Sequence, residues 1–138
     1  MKNLAKHILA EKENVEKALS CLKVVLEKEN RSAAEIAGIA VFVHNFYNGI
    51  ENILKQILKF KDIRIGGSEG WHKELLEVSL SKGIVSRELV DLLYEYLTFR
   101  HFFIHSYGFK LDEARLLKLA NNVPQVWADF LSAIKAYL

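Results

Sequence analysis

Apolar residues recur at steps of three, four and seven positions along the first 60 residues, and this spacing is the strongest constraint on the fold. In the segment 2–29 they are Leu4, Ile8, Val15, Leu19, Leu22 and Leu26. In the segment from 32 to about 60 they are Ile36, Ile39, Val43, Phe46, Ile50, Ile53 and Ile57. One proline and seven glycines among 138 residues leave few positions that break a helix. The pattern therefore predicts two long amphipathic helices that pack antiparallel through their apolar faces.

Local signals indicate where these helices begin and end. The pair Asn30-Arg31 interrupts the first helix, and Ser32 with Glu35 forms a capping-box pattern at the start of the second. Residues 61–70 contain three glycines, which are costly to hold in a helix, so this segment is predicted to be a loop. A short third helix is predicted over residues 71–81.

The second half of the chain has similar signals. Gly83 is predicted to end the third helix in a left-handed conformation, and Ser86 to cap a fourth helix that ends at Gly108. Its inward residues are predicted to be Leu89, Leu92, Leu93, Tyr96 and Leu97. Asp112 is placed to cap a fifth helix. Pro124 should kink that helix, because proline lacks the amide donor and crowds the preceding turn.

The composition is that of an ordinary globular protein. With 26% charged and 51% hydrophobic residues, and 19 basic against 17 acidic side chains, the chain is neither a disordered acidic segment nor a nucleic-acid-binding tail. Residues 1–138 are therefore predicted to form a single all-α domain, an antiparallel bundle of four to five helices. No apolar run approaches the roughly 18 to 20 residues of a membrane span, and no signal peptide is evident. The single Cys21 excludes an internal disulfide, so we expect a cytoplasmic protein.

The stretch 99–108 concentrates ionisable side chains among bulky apolar ones. Phenylalanines and an isoleucine stand between the ionisable residues Arg100, His101, His105 and Tyr107. In such surroundings an ionisable side chain must be packed, be paired with another polar group or take part in function. On a regular helix Arg100 and His105 lie about 140° apart, so one copy of the motif presents them poorly to a common ligand. We expect that the helix ends or distorts near His105 and that two copies of the motif meet across a two-fold axis.

Arginine and histidine together suit the cleavage of a phosphodiester bond. The planar guanidinium matches phosphate oxygens, and an imidazole gains or loses a proton near neutral pH. In RNA the 2′-hydroxyl is an internal nucleophile, so a histidine that removes its proton and an arginine that stabilises charge on the phosphate need no metal. Arg100 and His105 are therefore the predicted catalytic residues. The expected products have a 2′,3′-cyclic phosphate and a free 5′-hydroxyl.

The six residues from Arg100 to His105 resemble the signature of HEPN domains. Their extension through Ser106 and Tyr107 is similar to the Arg-x4-His-x-Tyr motif of HepT toxins. The resemblance extends over most of the chain, in which Trp71-His72-Lys73-Glu74-Leu75-Leu76 is followed by Phe99-Arg100-His101 and by Leu111-Asp112. A five-helix bundle agrees with that fold.

The resemblance implies a homodimeric, metal-independent and cofactor-free endoribonuclease toxin, in which Arg100 and His105 of both copies face one cleft. It also implies a partner, a minimal nucleotidyltransferase that acts as the antitoxin and attaches AMP to Tyr107. The added phosphates would pair with Arg100 and repel an incoming RNA backbone. The supporting or RNA-contacting positions are His101, Ser106 and Glu51.

Each assignment has a structural alternative. Arg100 could instead pair with Glu51 or Glu95, and the polar row of His44, Asn48 and Glu51 on the second helix could be solvated or interhelical. His101 and His105, four residues apart, could be two metal ligands, but zinc needs a third ligand and no residue nearby is a compelling one. Trp71 and His72 are attributed to packing and capping.

The function has alternatives as well. One is a non-catalytic substrate-binding or docking subunit of a minimal nucleotidyltransferase, and another is a bundle protein that binds a small ligand. Loss of RNA cleavage in a His105→Ala variant separates the toxin from the docking subunit, because only the toxin uses that imidazole.

Overall fold

The structure is a computed structural model that describes residues 2–67, 69–105 and 112–138. Over these ranges the chain is helical, without β-strands, which confirms the predicted all-α class. The elements are α1 (Lys2–Leu26), α2 (Ala33–Phe60), α3 (Trp71–Ser81), α4 (Arg87–His105), α5 (Glu113–Ala133) and a 3-10 turn (Lys135–Tyr137). Among the described helices, none is both long enough and apolar enough to cross a membrane.

Helices α1 and α2 form an antiparallel pair. His7 Nδ1 lies 3.1 Å from Gln56 Oε1, and Asn52 Nδ2 donates to Glu11 Oε1 at 3.3 Å. Residue numbers therefore rise along α1 as they fall along α2. At the same crossing Gly49 is buried, and a Cβ atom added there would overlap the Cγ2 methyl of Val15. The two helix backbones approach closely because this position has no side chain.

The predicted caps are confirmed where the structure describes them. Ser32 Oγ accepts from the Glu35 amide at 3.1 Å, and the Glu35 carboxylate accepts from the Ser32 amide at 2.9 Å. Together with Lys28, these contacts lower the pKa of Glu35 to about 2. The hydroxyl of Ser86 accepts from the Leu89 amide at 3.1 Å. The side chains thus satisfy amides that have no partner within their own helices.

Three further boundary predictions have different outcomes. Gly83 adopts the left-handed conformation with φ of 73°, and Asp112 accepts a hydrogen bond from the Arg115 amide at 3.2 Å, as predicted. Pro124 lies inside α5, which continues through it, and the kink stays a prediction. The predicted terminus at Gly108 falls outside the described residues.

The core centres on Phe46 of α2. Its ring packs edge-on against Tyr96 of α4, with centroids 5.4 Å apart, and against Trp127 of α5, at 6.2 Å. The Tyr96 hydroxyl donates to the Leu119 carbonyl oxygen at 2.7 Å, which fixes α4 against α5. Leu92, predicted to point inward, is 36% exposed, so that prediction is wrong. It lies beside the buried stripe of α4, where the helix surface turns toward solvent.

Candidate functional site

Side chains from α3 and α4 line a groove of about 520 Å³, which we call the site groove. His72 and Lys73 come from the first turn of α3, and Arg100 and His101 from the last turns of α4. The fold therefore brings together two segments that are separated by almost thirty residues in the sequence. The groove combines two cationic side chains and two imidazoles with one carboxylate, that of Glu69.

A hydrogen-bonded chain that crosses from α4 to α2 anchors Arg100. Its Nε donates to Asn48 Oδ1 at 3.3 Å, and Asn48 Nδ2 lies 2.9 Å from His44 Nε2. Since the asparagine amide can only donate through nitrogen, His44 Nε2 is the acceptor and its proton lies on Nδ1. The polar row predicted on α2 is thus interhelical. Neither Glu51 nor Glu95 forms an ion pair with Arg100 within the described part of the chain.

His44 is neutral at physiological pH. Burial, followed by the positive charge of Arg100, lowers its pKa below the ordinary value of 6.5. Its ring packs against Phe103, with centroids 5.3 Å apart, and Nδ1 is buried without a hydrogen-bond partner among the described residues. A neutral imidazole suits this position because a second positive charge beside Arg100 would repel it.

The buried carboxylate of Glu51 supports His72. Glu51 is 2% exposed, and its Oε2 lies 2.8 Å from His72 Nδ1. The other side of the His72 ring is held by Trp71, whose ring centroid is 3.6 Å away. Tyr47 is buried nearby, and burial together with the charge of Glu51 raises the pKa of its phenol well above 10. Glu51 therefore influences the site groove by orienting His72, without lining the groove itself.

His105 is the last residue of α4 and is exposed. Its ring lies one turn beyond His101, with centroids 4.5 Å apart, and it is not among the residues that line the site groove. Arg100 and His101 thus line one groove, whereas His105 is exposed outside it. Of the other predicted site residues, Ser106 and Tyr107 lie outside the described residues.

The sequence interpretation missed two groove residues. The sequence interpretation of His72 is packing and capping, whereas the structure shows that it satisfies the buried Glu51 carboxylate, which needs a hydrogen-bond partner. The presence of Glu51 indicates that its carboxylate needs a partner, but the sequence does not indicate that a residue of α3 supplies this partner. Lys73 had no distinguishing signal, because an exposed lysine in the first turn of a helix is ordinary surface.

The fold and the groove define a class of protein: a helical bundle with an anchored arginine and histidines in an open cleft. Residues 38–138, which extend from α2 to the end of the chain, match the family model described as HepT-like protein. The chain belongs to the HepT-like family. Membership indicates a toxin-related role of the HEPN type.

The fold resembles a solved structure from Bacillus subtilis, that of YutE, described as a cytosolic protein of unknown function. The two share 17% sequence identity with a TM-score of 0.68, and the likeness covers 92% of this chain and 90% of YutE. At that identity the similarity concerns the fold alone. A search of curated proteins gave no match.

Proposed function

We propose that this chain is a metal-independent endoribonuclease toxin that acts as a homodimer. The observation that carries the proposal is the Arg100 guanidinium, held by Asn48 and facing an open groove beside His72 and His101. A permanent cation fixed in this way is ready to bind a phosphate without further ordering. The imidazoles beside it are side chains that can accept or donate a proton.

In the proposed reaction His105 removes the proton from a ribose 2′-hydroxyl. The resulting oxygen forms a bond to phosphorus, and the bond from phosphorus to the 5′-oxygen breaks. A protonated histidine donates a proton to the 5′-oxygen as it leaves. Arg100 stabilises the negative charge on the phosphate oxygens. The products are a 2′,3′-cyclic phosphate and a 5′-hydroxyl.

The separate locations of Arg100 and His105 within one chain support the proposed homodimer. Within one chain Arg100 lines the site groove, whereas His105 is exposed and lies outside the lining of that groove. A two-fold axis near the ends of two α4 helices would bring His105 of one copy toward Arg100 of the other. The exposed side chains of Phe102 and Ile104, 41% and 40% exposed, would be covered in such a contact.

The proposal includes a nucleotidyltransferase antitoxin that attaches AMP to Tyr107. Tyr107 follows His105 by two residues in the sequence. A phosphate attached there introduces negative charge and strong acceptor oxygens close to the end of α4, where they compete with RNA for Arg100. In this proposal the attached phosphate inhibits RNA cleavage by competing with RNA for Arg100, and the fold of the bundle does not need to change.

The direct test incubates the purified protein with tRNA and an mRNA transcript in the presence of EDTA. Because the proposed nucleophile belongs to the substrate, we expect cleavage that chelation does not inhibit and fragments with 2′,3′-cyclic phosphate and 5′-hydroxyl ends. A 2′-O-methylated copy of the cleaved RNA should stay intact. Uncut RNA, or fragments with 5′-phosphate ends, would reject the proposed chemistry; uncut RNA would favour a docking subunit.

Asn48→Ala should slow cleavage by roughly tenfold, since a hydrogen bond to a charged group is worth about 1.5 kcal/mol. The loss should appear in kcat, because Asn48 orients Arg100 and does not itself contact RNA. The matched control is Asn52→Ala, one turn along α2, where the side chain is exposed and bonds to Glu11 instead. Equal rates for the two variants would show that Arg100 does not need this anchor.

A further inference from the structure

A second groove, of about 630 Å³, lies at the C-terminal end of α2. We call it the basic groove. Its charged lining residues are Lys55, Lys59, Asp62 and Arg64. Three cations thus face one carboxylate, and none of the three cations is ion-paired within the described ranges. A groove in which unpaired cationic side chains outnumber the acidic ones favours a polyanionic ligand.

The wall of the basic groove is fixed by backbone contacts. After α2 the chain turns back, with the Ile63 amide donating to the Leu58 carbonyl oxygen at 2.9 Å. Farther along, the Gly66 amide donates to Glu74 Oε2 at 3.2 Å, which ties this segment to α3. The Glu74 carboxylate is therefore engaged by the backbone and does not line the groove.

Trp71 and His72 connect the two grooves. Trp71 lines the basic groove, and the next residue, His72, lines the site groove. Their ring centroids lie 3.6 Å apart with the ring planes tilted by 30°, and the Lys55 ammonium lies 3.9 Å from the centroid of the indole ring. This cation–π contact positions Lys55 at the boundary between the grooves. The two grooves therefore lie on either side of the Trp71–His72 pair.

We propose that the basic groove binds the backbone phosphates of the RNA strand that flanks the scissile bond, with Lys59 and Arg64 as its principal contacts. The inference rests on the proposed ribonuclease function and extends it by assigning a path to the substrate. Contacts to the backbone are independent of sequence, so this groove contributes affinity rather than base preference. Single-stranded RNA is the expected ligand, because a flexible strand can contact both the site groove and the basic groove.

The test measures binding of a single-stranded 2′-O-methyl RNA, which cannot be cleaved by attack of the 2′-oxygen, at several salt concentrations. For Lys59→Gln/Arg64→Gln we expect Kd to rise roughly tenfold and the slope of log K against log salt to fall by about 1.4, since each phosphate contact to a single strand contributes about 0.7. With cleavable RNA the double variant should raise KM and keep kcat.

The control removes the same charge elsewhere. Lys61 lies over the ring of Tyr137, 5.5 Å from its centroid, and Lys135 is exposed in the 3-10 turn; neither lines the basic groove. Lys61→Gln/Lys135→Gln should change Kd by less than about threefold and leave the salt slope unaltered. All four side chains are exposed, so unchanged thermal midpoints should accompany both variants.

Three outcomes would overturn the inference. Equal weakening by the two double variants would show that only net charge matters. Wild-type affinity in the groove variant, with cleavage intact, would reject the RNA path while leaving the ribonuclease in place and would assign the groove to another polyanion, such as an acidic protein surface. A wild-type protein that neither binds nor cleaves RNA would reject the ribonuclease itself.

Discussion

His105→Ala is expected to slow RNA cleavage by about 100- to 10,000-fold, the usual contribution of a positioned acid–base group. His105 is exposed at the end of α4, so truncating it opens no cavity and should leave the thermal midpoint unchanged. The measurement is the single-turnover cleavage rate with saturating RNA. His7→Ala serves as the control, because His7 is an exposed histidine on α1, far along the sequence from the motif.

Mixing variants tests whether the site is shared between two copies. Protein that carries Arg100→Ala and protein that carries His105→Ala should each be inactive. If Arg100 and His105 act together from different copies, each mixed dimer has one intact pair, and equal mixing should recover roughly a quarter of the wild-type rate. A mixture that stays inactive after subunit exchange would mean that both residues act within one chain.

Gly49→Ala is expected to destabilise the fold by about 1 to 3 kcal/mol, the range found when a methyl group is forced into a packed core. Alanine is the better helix former by roughly 1 kcal/mol, so a destabilisation shows that packing outweighs propensity. The obstacle is the Cγ2 methyl of Val15, a stiff branched side chain that is 1% exposed. Chemical denaturation gives the free energy of unfolding.

Two companion variants complete this test. Gly38→Ala is the control on the same helix, since its added Cβ would meet only Phe42 at 3.9 Å, an ordinary contact. It should stabilise α2 by roughly 0.5 to 1 kcal/mol. Adding Val15→Ala to Gly49→Ala should recover part of the loss, because the methyl groups in conflict are removed. Strict additivity of the two changes would show that they do not interact.

The sequence predicted the helices well because their signals are local. The hydroxyl of Ser32 and the carboxylate of Glu35 act within one turn, so the start of α2 could be inferred without knowing what packs around it. The failure at Leu92 is of a different kind. Spacing places that leucine near the apolar stripe of α4, but the edge of the stripe depends on how α4 is rotated against its neighbours.

The partners across helices could not be predicted from the sequence for the same reason. His44, Asn48 and Glu51 were recognised as one polar row, yet which of them meets Arg100 depends on how far α4 slides along α2. A shift of one turn would exchange Asn48 for a neighbour in the row. The close approach of α1 at Gly49 had no local signal either. The sequence around a glycine within a helix does not indicate whether another helix crosses there.

The anchoring of Arg100 to a neighbouring helix has a consequence for how the protein can be switched off. The 3.3 Å bond between Arg100 Nε and Asn48 Oδ1 joins α4 to α2, so the guanidinium is in place only while the two helices keep their spacing. A displacement of α4 by about 1 Å lengthens the distance between the two atoms beyond the hydrogen-bonding range. The guanidinium then loses its fixed position. If the proposed ribonuclease activity depends on this anchored arginine, an inhibitor that moves α4 away from α2 would inactivate the enzyme without occupying the site groove.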